Sequence, residues 1–458
     1  MDVDNKCIRA FVSNVVVFPD ETCQAVIQVK NSKIHSIQRH STDVSAFTED
    51  QVVDCGDLVL MSGLVDSHVH INEPGRTAWE GFSSATQAAA AGGITTLVDM
   101  PLNCIPATTS VKAWEVKMAA AESRCWVDVG FWGGVVPGNS AELLKMVAHG
   151  ICGFKCFLVN SGVDEFPCVT FDDVREALQE LVGSKSILLF HAECEIEDTI
   201  SDEDPPGRYS TFLKSRPQKM EALAIQRIIS LCEETKVRCH IVHLSGSKNL
   251  PMIRRAQERG VPLSVETCYH YLTLSAEEIP DHATQYKCCP PIREAENQCQ
   301  LWEALRDGTI QQVVSDHSPC TPDLKQPGKM NFKDAWGGIS SLQFGLSVFW
   351  TGAQARGFTL QDVVKCMSLA PATQASLQQR KGALRVGLDA DFVIWDPTET
   401  FTINESMILH RNKLTPYLGK TVRGKVYKTV LRGNVIYDRG NFCTAVPRGK
   451  FVFAPNLI

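Results

Sequence analysis

The sequence has little that would direct the protein to a membrane or to nucleic acid. Within its 458 residues, no apolar run approaches the roughly 18 residues that a membrane-spanning helix requires. Basic residues are not in surplus, because 45 lysines and arginines stand against 52 acidic residues and give a formal net charge of −7. A polyanion-binding protein usually carries a basic stripe or patch. We therefore expect neither a membrane nor a nucleic acid as a partner.

Two further absences concern location and thiol chemistry. The first residues are partly acidic and lack the basic segment and apolar stretch of a secretion signal, and the last three do not form a simple peroxisomal signal. We expect a cytoplasmic protein, with the peroxisome and the mitochondrion left open. None of the 18 cysteines has Cys-x-x-Cys spacing, which argues against a zinc ribbon or a thioredoxin-like motif. Buried, reduced thiols are the expectation.

Strand-type segments rich in valine and isoleucine lie near both ends of the chain, whereas the middle alternates. There, apolar segments such as 94–98 are separated by helix-favouring segments such as 140–148. Alternation over about 300 residues favours a parallel α/β architecture, for which a (β/α)8 barrel is the best fit. We predict an α/β fold in which this barrel spans residues 62–385. A small β-sandwich domain is then formed by both chain ends, residues 1–61 and 386–458.

One apolar strand is predicted to end in a pair of histidines. Residues 64–70 read Leu-Val-Asp-Ser-His-Val-His, so His68 and His70 are separated by a single residue. Residues two apart on a strand point to the same face, and both imidazoles can therefore bind one metal ion. Taken alone, the motif is equally compatible with a chance pair on a surface strand.

Three more metal-binding side chains lie at or near the ends of other predicted strands. His191 and Asp316 each follow an apolar segment, and His243 lies within one at residues 240–244. Active sites of (β/α)8 enzymes gather where the strands end. Each residue alone reads as a satisfied core or loop residue, but the joint pattern with the paired histidines favours a metal site.

Lys155 lies inside the otherwise apolar segment 153–158. An unpaired buried ammonium is costly, and its pKa falls. Lys155 is therefore an edge residue whose ammonium reaches water, or a partner in a buried ion pair, or a neutral amine that adds carbon dioxide. The resulting carbamate would be an anionic oxygen ligand able to bridge two metal ions.

The order His-x-His, strand lysine, His, His, Asp resembles that of the cyclic amidohydrolases. This family includes dihydroorotases, hydantoinases, dihydropyrimidinases and allantoinases, and the resemblance runs over nearly the whole chain. Within the family, the most specific motifs are similar to those of the allantoinases. These motifs are residues 68–77, 79–81, 99–103, 315–322 and 335–339.

The resemblance implies a binuclear metal centre with six protein ligands. They are His68, His70 and Asp316 at the first ion, His191 and His243 at the second, and Lys155, carboxylated to N6-carboxylysine by carbon dioxide, as the bridge. Two zinc ions per subunit are favoured because imidazole and carboxylate ligands suit zinc and hydrolysis needs no redox change. Iron, cobalt and manganese stay open.

The resemblance also implies a mechanism. A hydroxide that bridges the two ions attacks a ring carbonyl, and the second ion stabilises the developing oxyanion. Asp316 acts as general acid/base: it takes the hydroxide proton and returns it to the leaving ring nitrogen. The ring amide of allantoin would thus open to allantoate, a step of purine (urate) breakdown.

Two positions separate the substrate classes within the family. Dihydroorotases typically carry an arginine two residues after the second histidine of the His-x-His pair, where this chain has Asn72. Hydantoinases and dihydropyrimidinases typically carry a tyrosine five residues after the strand lysine, where this chain has Asn160. Both departures favour the neutral substrate allantoin. A hydantoinase-like or dihydropyrimidinase-like ureide hydrolase is the alternative. A non-catalytic scaffold relative is disfavoured because all ligand positions are filled.

The remaining expectations concern secondary residues and assembly. Asn103 and Ser318 are candidate substrate contacts, although a capping asparagine and a loop turn explain them equally well. Arg76 and Glu80 would form a supporting ion pair. Family relatives are often tetramers, so a homotetramer is implied.

Overall fold

The computed structural model describes residues 8–197, 201, 203–455 and 457. Within this part of the chain the strands are β1 Arg9–Val17, β2 Thr22–Lys30, β3 Lys33–Arg39, β4 Val52–Asp54, β5 Val59–Ser62, β6 Leu64–Val69, β7 Ile94–Asp99, β8 Asp128–Phe131, β9 Gly133–Gly134, β10 Phe154–Phe157, β11 Ile187–His191, β12 Arg238–Ile241, β13 Leu263–Cys268, β14 Gln312–Val314, β15 Phe392–Thr402, β16 Thr421–Leu431, β17 Asn434–Asp438 and β18 Asn441–Phe442. The α-helices are α1 Phe82–Ala91, α2 Val111–Ala121, α3 Ser140–Ala148, α4 Phe171–Leu181, α5 Tyr209–Ser215, α6 Gln218–Thr235, α7 Leu250–Glu258, α8 Tyr269–Thr273, α9 Ala295–Asp307, α10 Gly345–Ala355, α11 Leu360–Val364 and α12 Ala370–Gln374.

Both chain ends contribute to one sheet. β1 pairs antiparallel with β2, and β15 pairs antiparallel with β16, as expected for segments rich in β-branched residues. The two ends meet at β5, which is parallel to β1 on one side and antiparallel to β15 on the other. This confirms a β-rich part built from both termini. The boundaries 1–61, 62–385 and 386–458 stay a prediction.

The central strands form the barrel. Parallel pairing links β6, β7 and β8 in one arc and runs from β9 to β14 in another. A single residue, Trp132, separates β8 from β9, so the described residues provide eight strand positions. The arcs close where Val69 bridges to His317 and the His70 N–H donates to the His317 carbonyl over 2.8 Å. The predicted (β/α)8 barrel is confirmed.

Helices cover the outer side of the barrel strands through apolar faces. In α4, for example, Val174, Leu178 and Leu181 lie four and three residues apart and are buried, which is the spacing of one helix face. The helix-favouring segment 140–148 matches α3 in the structure. Within the described residues, no helix is both long and apolar enough to cross a membrane.

Candidate metal centre

The six predicted ligands meet at the carboxyl-terminal ends of the barrel strands, around a cavity of about 270 Å³. All of them line this cavity and are buried. His68 lies in β6 and His70 directly follows it, Lys155 lies in β10, His191 ends β11, His243 follows β12 by two residues, and Asp316 follows β14 by two residues. The sequence therefore predicted the grouping correctly, while the role of each residue as a ligand stays a prediction.

His68, His70 and Asp316 form one half of the cluster. Asp316 Oδ1 lies 3.1 Å from His68 Nε2 and 3.4 Å from His70 Nε2. Their ligand atoms all lie within 4.8 Å of one another, close enough to share one cation. Both imidazoles thus point to the same carboxylate, as the His-x-His spacing predicts.

His191 and His243 form the other half. His191 Nδ1 lies 3.1 Å from His243 Nε2, and the rings of His68 and His243 have centroids 5.3 Å apart, so the two halves adjoin. Phe157 stacks on His191 at an interplanar angle of 12°. Lys155 Nζ lies 4.9 Å from the centre of the Phe157 ring.

Five buried polar atoms of residues that line this cavity lack a hydrogen-bond partner among the described residues. Three belong to the cluster, namely His68 Nε2, Lys155 Nζ and His243 Nδ1, and the other two are Asn103 Oδ1 and Trp336 Nε1. Leaving such atoms unpaired costs about 1–3 kcal/mol each, so they are better explained as contacts to a bound group. Four imidazoles, one carboxylate and one amine that can become a carbamate are a donor set that fits two divalent ions.

Burial and charge shift the pKa values of the cluster residues. Burial lowers the pKa of Lys155 to about 8 and that of His70 to about 4. Burial also acts to lower the pKa of His68, but the carboxylates of Asp316 and Glu266 outweigh it and raise that pKa to about 9. At Asp316, burial is outweighed by His68, and the pKa lies well below its usual range. Asp316 is therefore ionised.

The backbone is strained at two of the cluster residues. His243 has a φ of 39° and Asp316 has a φ of 42°, in a region that only a few per cent of non-glycine residues adopt. Such conformations persist where surrounding structure enforces them, often at functional sites. The turn at His243 also shows that the apolar segment 240–244 is not strand throughout, because β12 already ends at Ile241.

Glu266, on β13, holds the first half of the cluster and was missed from the sequence. Its Oε1 lies 2.5 Å from His68 Nδ1, and its Oε2 lies 3.0 Å from His240 Nε2. A carboxylate at Nδ1 fixes the ring orientation and leaves Nε2 of His68 free to face the cavity. His240 is thus a structural partner of this carboxylate.

Glu193 has the same relation to His191. Its Oε2 lies 2.7 Å from His191 Nε2 and accepts a hydrogen bond of 2.5 Å from Arg216 Nη1. The His191 ring therefore presents Nδ1 to the cavity. Sequence patterns gave no sign of Arg216, which lines the cavity and lies 23 residues from Glu193.

The prediction of an ion pair between Arg76 and Glu80 is wrong. Arg76 pairs instead with Glu165, and Glu80 lies 3.1 Å from His317 Nε2. The His317 Nδ1 accepts from the Ser341 N–H, so Nε2 carries the proton that is donated to Glu80. His317 is therefore anchored away from the cluster and holds the loop that follows Asp316.

Both predicted substrate contacts line the cavity. Asn103 Nδ2 lies 3.3 Å from His70 Nδ1, and Ser318 is on the loop after Asp316. Of the two positions that separate substrate classes, Asn160 also lines the cavity. Asn72 is buried, with its Nδ2 donating to the Pro319 carbonyl over 3.3 Å.

Comparison with known proteins gives the same picture over most of the chain. The model of the amidohydrolase family matches residues 59–436. An allantoinase of Streptomyces avermitilis is 47% identical over 96% of this chain and 97% of its own length. A mitochondrial allantoinase of Aquarana catesbeiana is 54% identical over 75% of this chain and 70% of its own length. The solved L-hydantoinase of Arthrobacter aurescens superimposes with a TM-score of 0.91 at 30% identity, covering 97% of this chain and 99% of its own. The chain therefore belongs to the amidohydrolase family and, within it, to the allantoinases.

Proposed function

We propose that the protein is an allantoinase, which hydrolyses the hydantoin ring amide of allantoin to allantoate in purine breakdown. The observation that carries this proposal is the similarity to curated allantoinases along nearly the whole chain. The cavity supports it, because metal-binding and hydrogen-bonding side chains surround a volume of about 270 Å³, suited to a small polar ring. Water breaks the ring C–N bond, and the single open-chain product carries a carboxylate on the carbon side and an N–H2 group on the nitrogen side.

We assign the metal ligands by the two halves of the cluster. His68, His70 and Asp316 would hold one divalent ion, and His191 and His243 would hold the second. Bound there, two zinc ions would supply Lewis acidity and activate water at neutral pH. The carboxylates of Glu266 and Glu193 orient the imidazoles by accepting their outer N–H groups.

Lys155 would bridge the two halves as a carbamate. Its buried Nζ has no hydrogen-bond partner among the described residues, and its pKa of about 8 leaves about a tenth of the amine neutral at pH 7. The neutral amine attacks carbon dioxide, forms an N–C bond and loses one proton. This change removes the cost of a buried ammonium and supplies an anionic oxygen ligand for the ions that the neighbouring side chains would bind.

Asp316 would carry the proton during catalysis. Its carboxylate is ionised, lies in the cavity, and is fixed between His68 and His70. It accepts a proton from the attacking water and delivers it to the ring nitrogen as the C–N bond breaks. Asn103 and Ser318 would hydrogen-bond to the substrate from the cavity wall.

The likeness to an L-hydantoinase supports a second candidate, a hydantoinase-like ureide hydrolase. The two are distinguished by kcat/KM for allantoin, hydantoin, dihydrouracil and dihydroorotate, measured with one metal-loaded preparation. The proposal expects allantoin to be the best substrate, with allantoate as product. A preference for hydantoin or dihydrouracil would favour the alternative, and no hydrolysis with well under two ions per chain would favour a scaffold.

Assembly and location complete the proposal. We propose a homotetramer, which the mass from light scattering would test. We also propose a cytoplasmic enzyme. One relative is named as mitochondrial, so fractionation of cells that express the native chain is the decisive comparison.

A further inference from the structure

The cavity wall outside the metal cluster contains two cations, Lys287 and Arg216, which differ in how many of their N–H donors have a protein acceptor among the described residues. Lys287 Nζ donates to the backbone carbonyls of Lys333 and Ala335 over 3.1 and 2.5 Å. Arg216 uses Nη1 for Glu193, and no other guanidinium N–H group has a protein acceptor within the described residues. A guanidinium carries five N–H donors, so most of its hydrogen-bonding capacity remains open.

Arg216 is held firmly in place. Glu193, which is fully buried, accepts from its guanidinium and from His191 with the same oxygen, so the guanidinium has a fixed position relative to the metal cluster. The carbonyl of Arg216 accepts from Arg293 Nη1 over 3.1 Å. The side chain is 23% exposed and lines the cavity, so a ligand can reach it.

We propose that the free edge of the Arg216 guanidinium binds the carbonyl oxygen of the ureido arm of the substrate, which makes Arg216 a specificity-determining residue. This inference rests on the proposed function. Allantoin is a hydantoin ring with a ureido substituent. When the ring amide lies at the metal cluster, the arm extends along the cavity wall. A planar guanidinium fork suits a planar ureide, and it does so better than the ammonium of a lysine.

The test compares two substrates that differ only in this arm. Wild type, Arg216→Lys and Arg216→Met are assayed with allantoin and with hydantoin, which has the ring alone. We expect kcat/KM for allantoin to fall about 10- to 100-fold in both variants, the range for losing a hydrogen bond to a charged group. The value for hydantoin should fall much less, and by no more than in Glu193→Gln, because the ring alone senses the change only through Glu193 and His191. If hydantoin only inhibits, its inhibition constant takes the place of kcat/KM.

Glu193→Gln is the matched control, because Glu193 contacts Arg216 and His191 without lining the cavity. It should lower turnover of both substrates through His191, and metal content per chain is measured for every variant. Equal losses on both substrates in the Arg216 variants, or no loss on allantoin, would overturn the inference. A wild-type enzyme that does not hydrolyse allantoin would overturn the proposed function instead, so the two failures are distinguishable.

Discussion

The Asp316 carboxylate has two tasks at the scale of a single residue, since it is both a proposed metal ligand and the proposed proton carrier. Replacing it with asparagine keeps its size and one oxygen but removes the base. We expect Asp316→Asn to lower kcat by about 10²- to 10⁴-fold, the usual contribution of general acid–base catalysis. The measurement is allantoin turnover at saturating substrate and excess metal.

The control is Asp323→Asn, an exposed position on the same loop, which should keep turnover within about 2-fold of wild type. Near-native turnover of fully metal-loaded Asp316→Asn would show that another group carries the proton.

Burial of Lys155 should make the free energy of unfolding depend on pH when the protein is kept free of metal by a chelator. Its folded pKa of about 8 lies below the ordinary 10.5. Below pH 8 both the folded and the unfolded state hold the proton, so the full cost of burying the ammonium is present. Between pH 8 and 10.5 the unfolded state binds more protons, and the cost disappears. Lys155→Met should thus raise the free energy of unfolding by about 3 kcal/mol at pH 7.

This gain should shrink steadily to almost nothing near pH 10.5, as measured by urea denaturation in carbon dioxide-free buffer with a chelator. Lys145→Met, at a position 60% exposed, should change stability by less than about 0.5 kcal/mol. If Lys155→Met raised the free energy of unfolding equally at every pH, the Lys155 ammonium would have a compensating partner in the folded protein.

At the scale of the strands, β13 organises the cluster without contributing a ligand. Glu266 connects His68 in β6 with His240 in β12, and it also accepts from Gln312 Nε2 in β14 over 2.9 Å. We expect Glu266→Gln to weaken metal binding about 10- to 100-fold, because the partner of Nδ1 orients His68. Competition with a metal chelator gives this affinity.

Glu303→Gln, on the exposed face of α9, should leave the metal affinity unchanged. An unchanged affinity in Glu266→Gln would mean that the neighbouring strands alone position His68.

The same strands show what the sequence can predict. Lys155 and the paired histidines were predictable because a charged or metal-binding side chain inside an apolar strand is unusual over a short stretch of sequence. Glu266 was not, because its partner His68 is 198 residues away and no local pattern joins them. The end of β12 before His243 was not predictable for a related reason, since the positive φ of His243 arises in the assembled site.

At the scale of the whole molecule, a buried charge cluster joins the barrel to the terminal sheet. Lys381 Nζ lies 2.6 Å from carboxylate oxygens of Asp128 and Asp391 and 3.0 Å from Asp389. Asp128 begins β8, at the opposite end of the barrel from the cavity. Other cations still pair with Asp128 and Asp389 when the lysine is removed, but buried Asp391 loses its ion-pair partner. Lys381→Met should therefore lower the free energy of unfolding by about 3 kcal/mol, the lower end of the range for breaking a buried ion pair.

Activity per folded, metal-loaded chain should stay at the wild-type value, because the cluster lies away from the active-site face. Lys425→Met breaks a surface pair with Glu399 and should cost at most about 1 kcal/mol. A similar loss of stability in both variants would mean that the buried cluster does not hold the two parts together.

The general plan of the molecule followed from the sequence, because alternating elements and β-rich ends are local patterns repeated along the chain. The contact between the two parts did not. Asp128 and Lys381 are 253 residues apart, and each alone looks like an ordinary charged residue.

The proposed function requires six residues at the strand ends to hold two metal ions through a carboxylated lysine. A crystal structure of the enzyme as purified, with anomalous data at the metal absorption edge, tests it most directly. The account predicts two anomalous peaks, one beside His68, His70 and Asp316 and one beside His191 and His243, with continuous density extending from Lys155 Nζ to both. A single peak or none, with an unmodified Lys155 in an enzyme that hydrolyses allantoin, would contradict it.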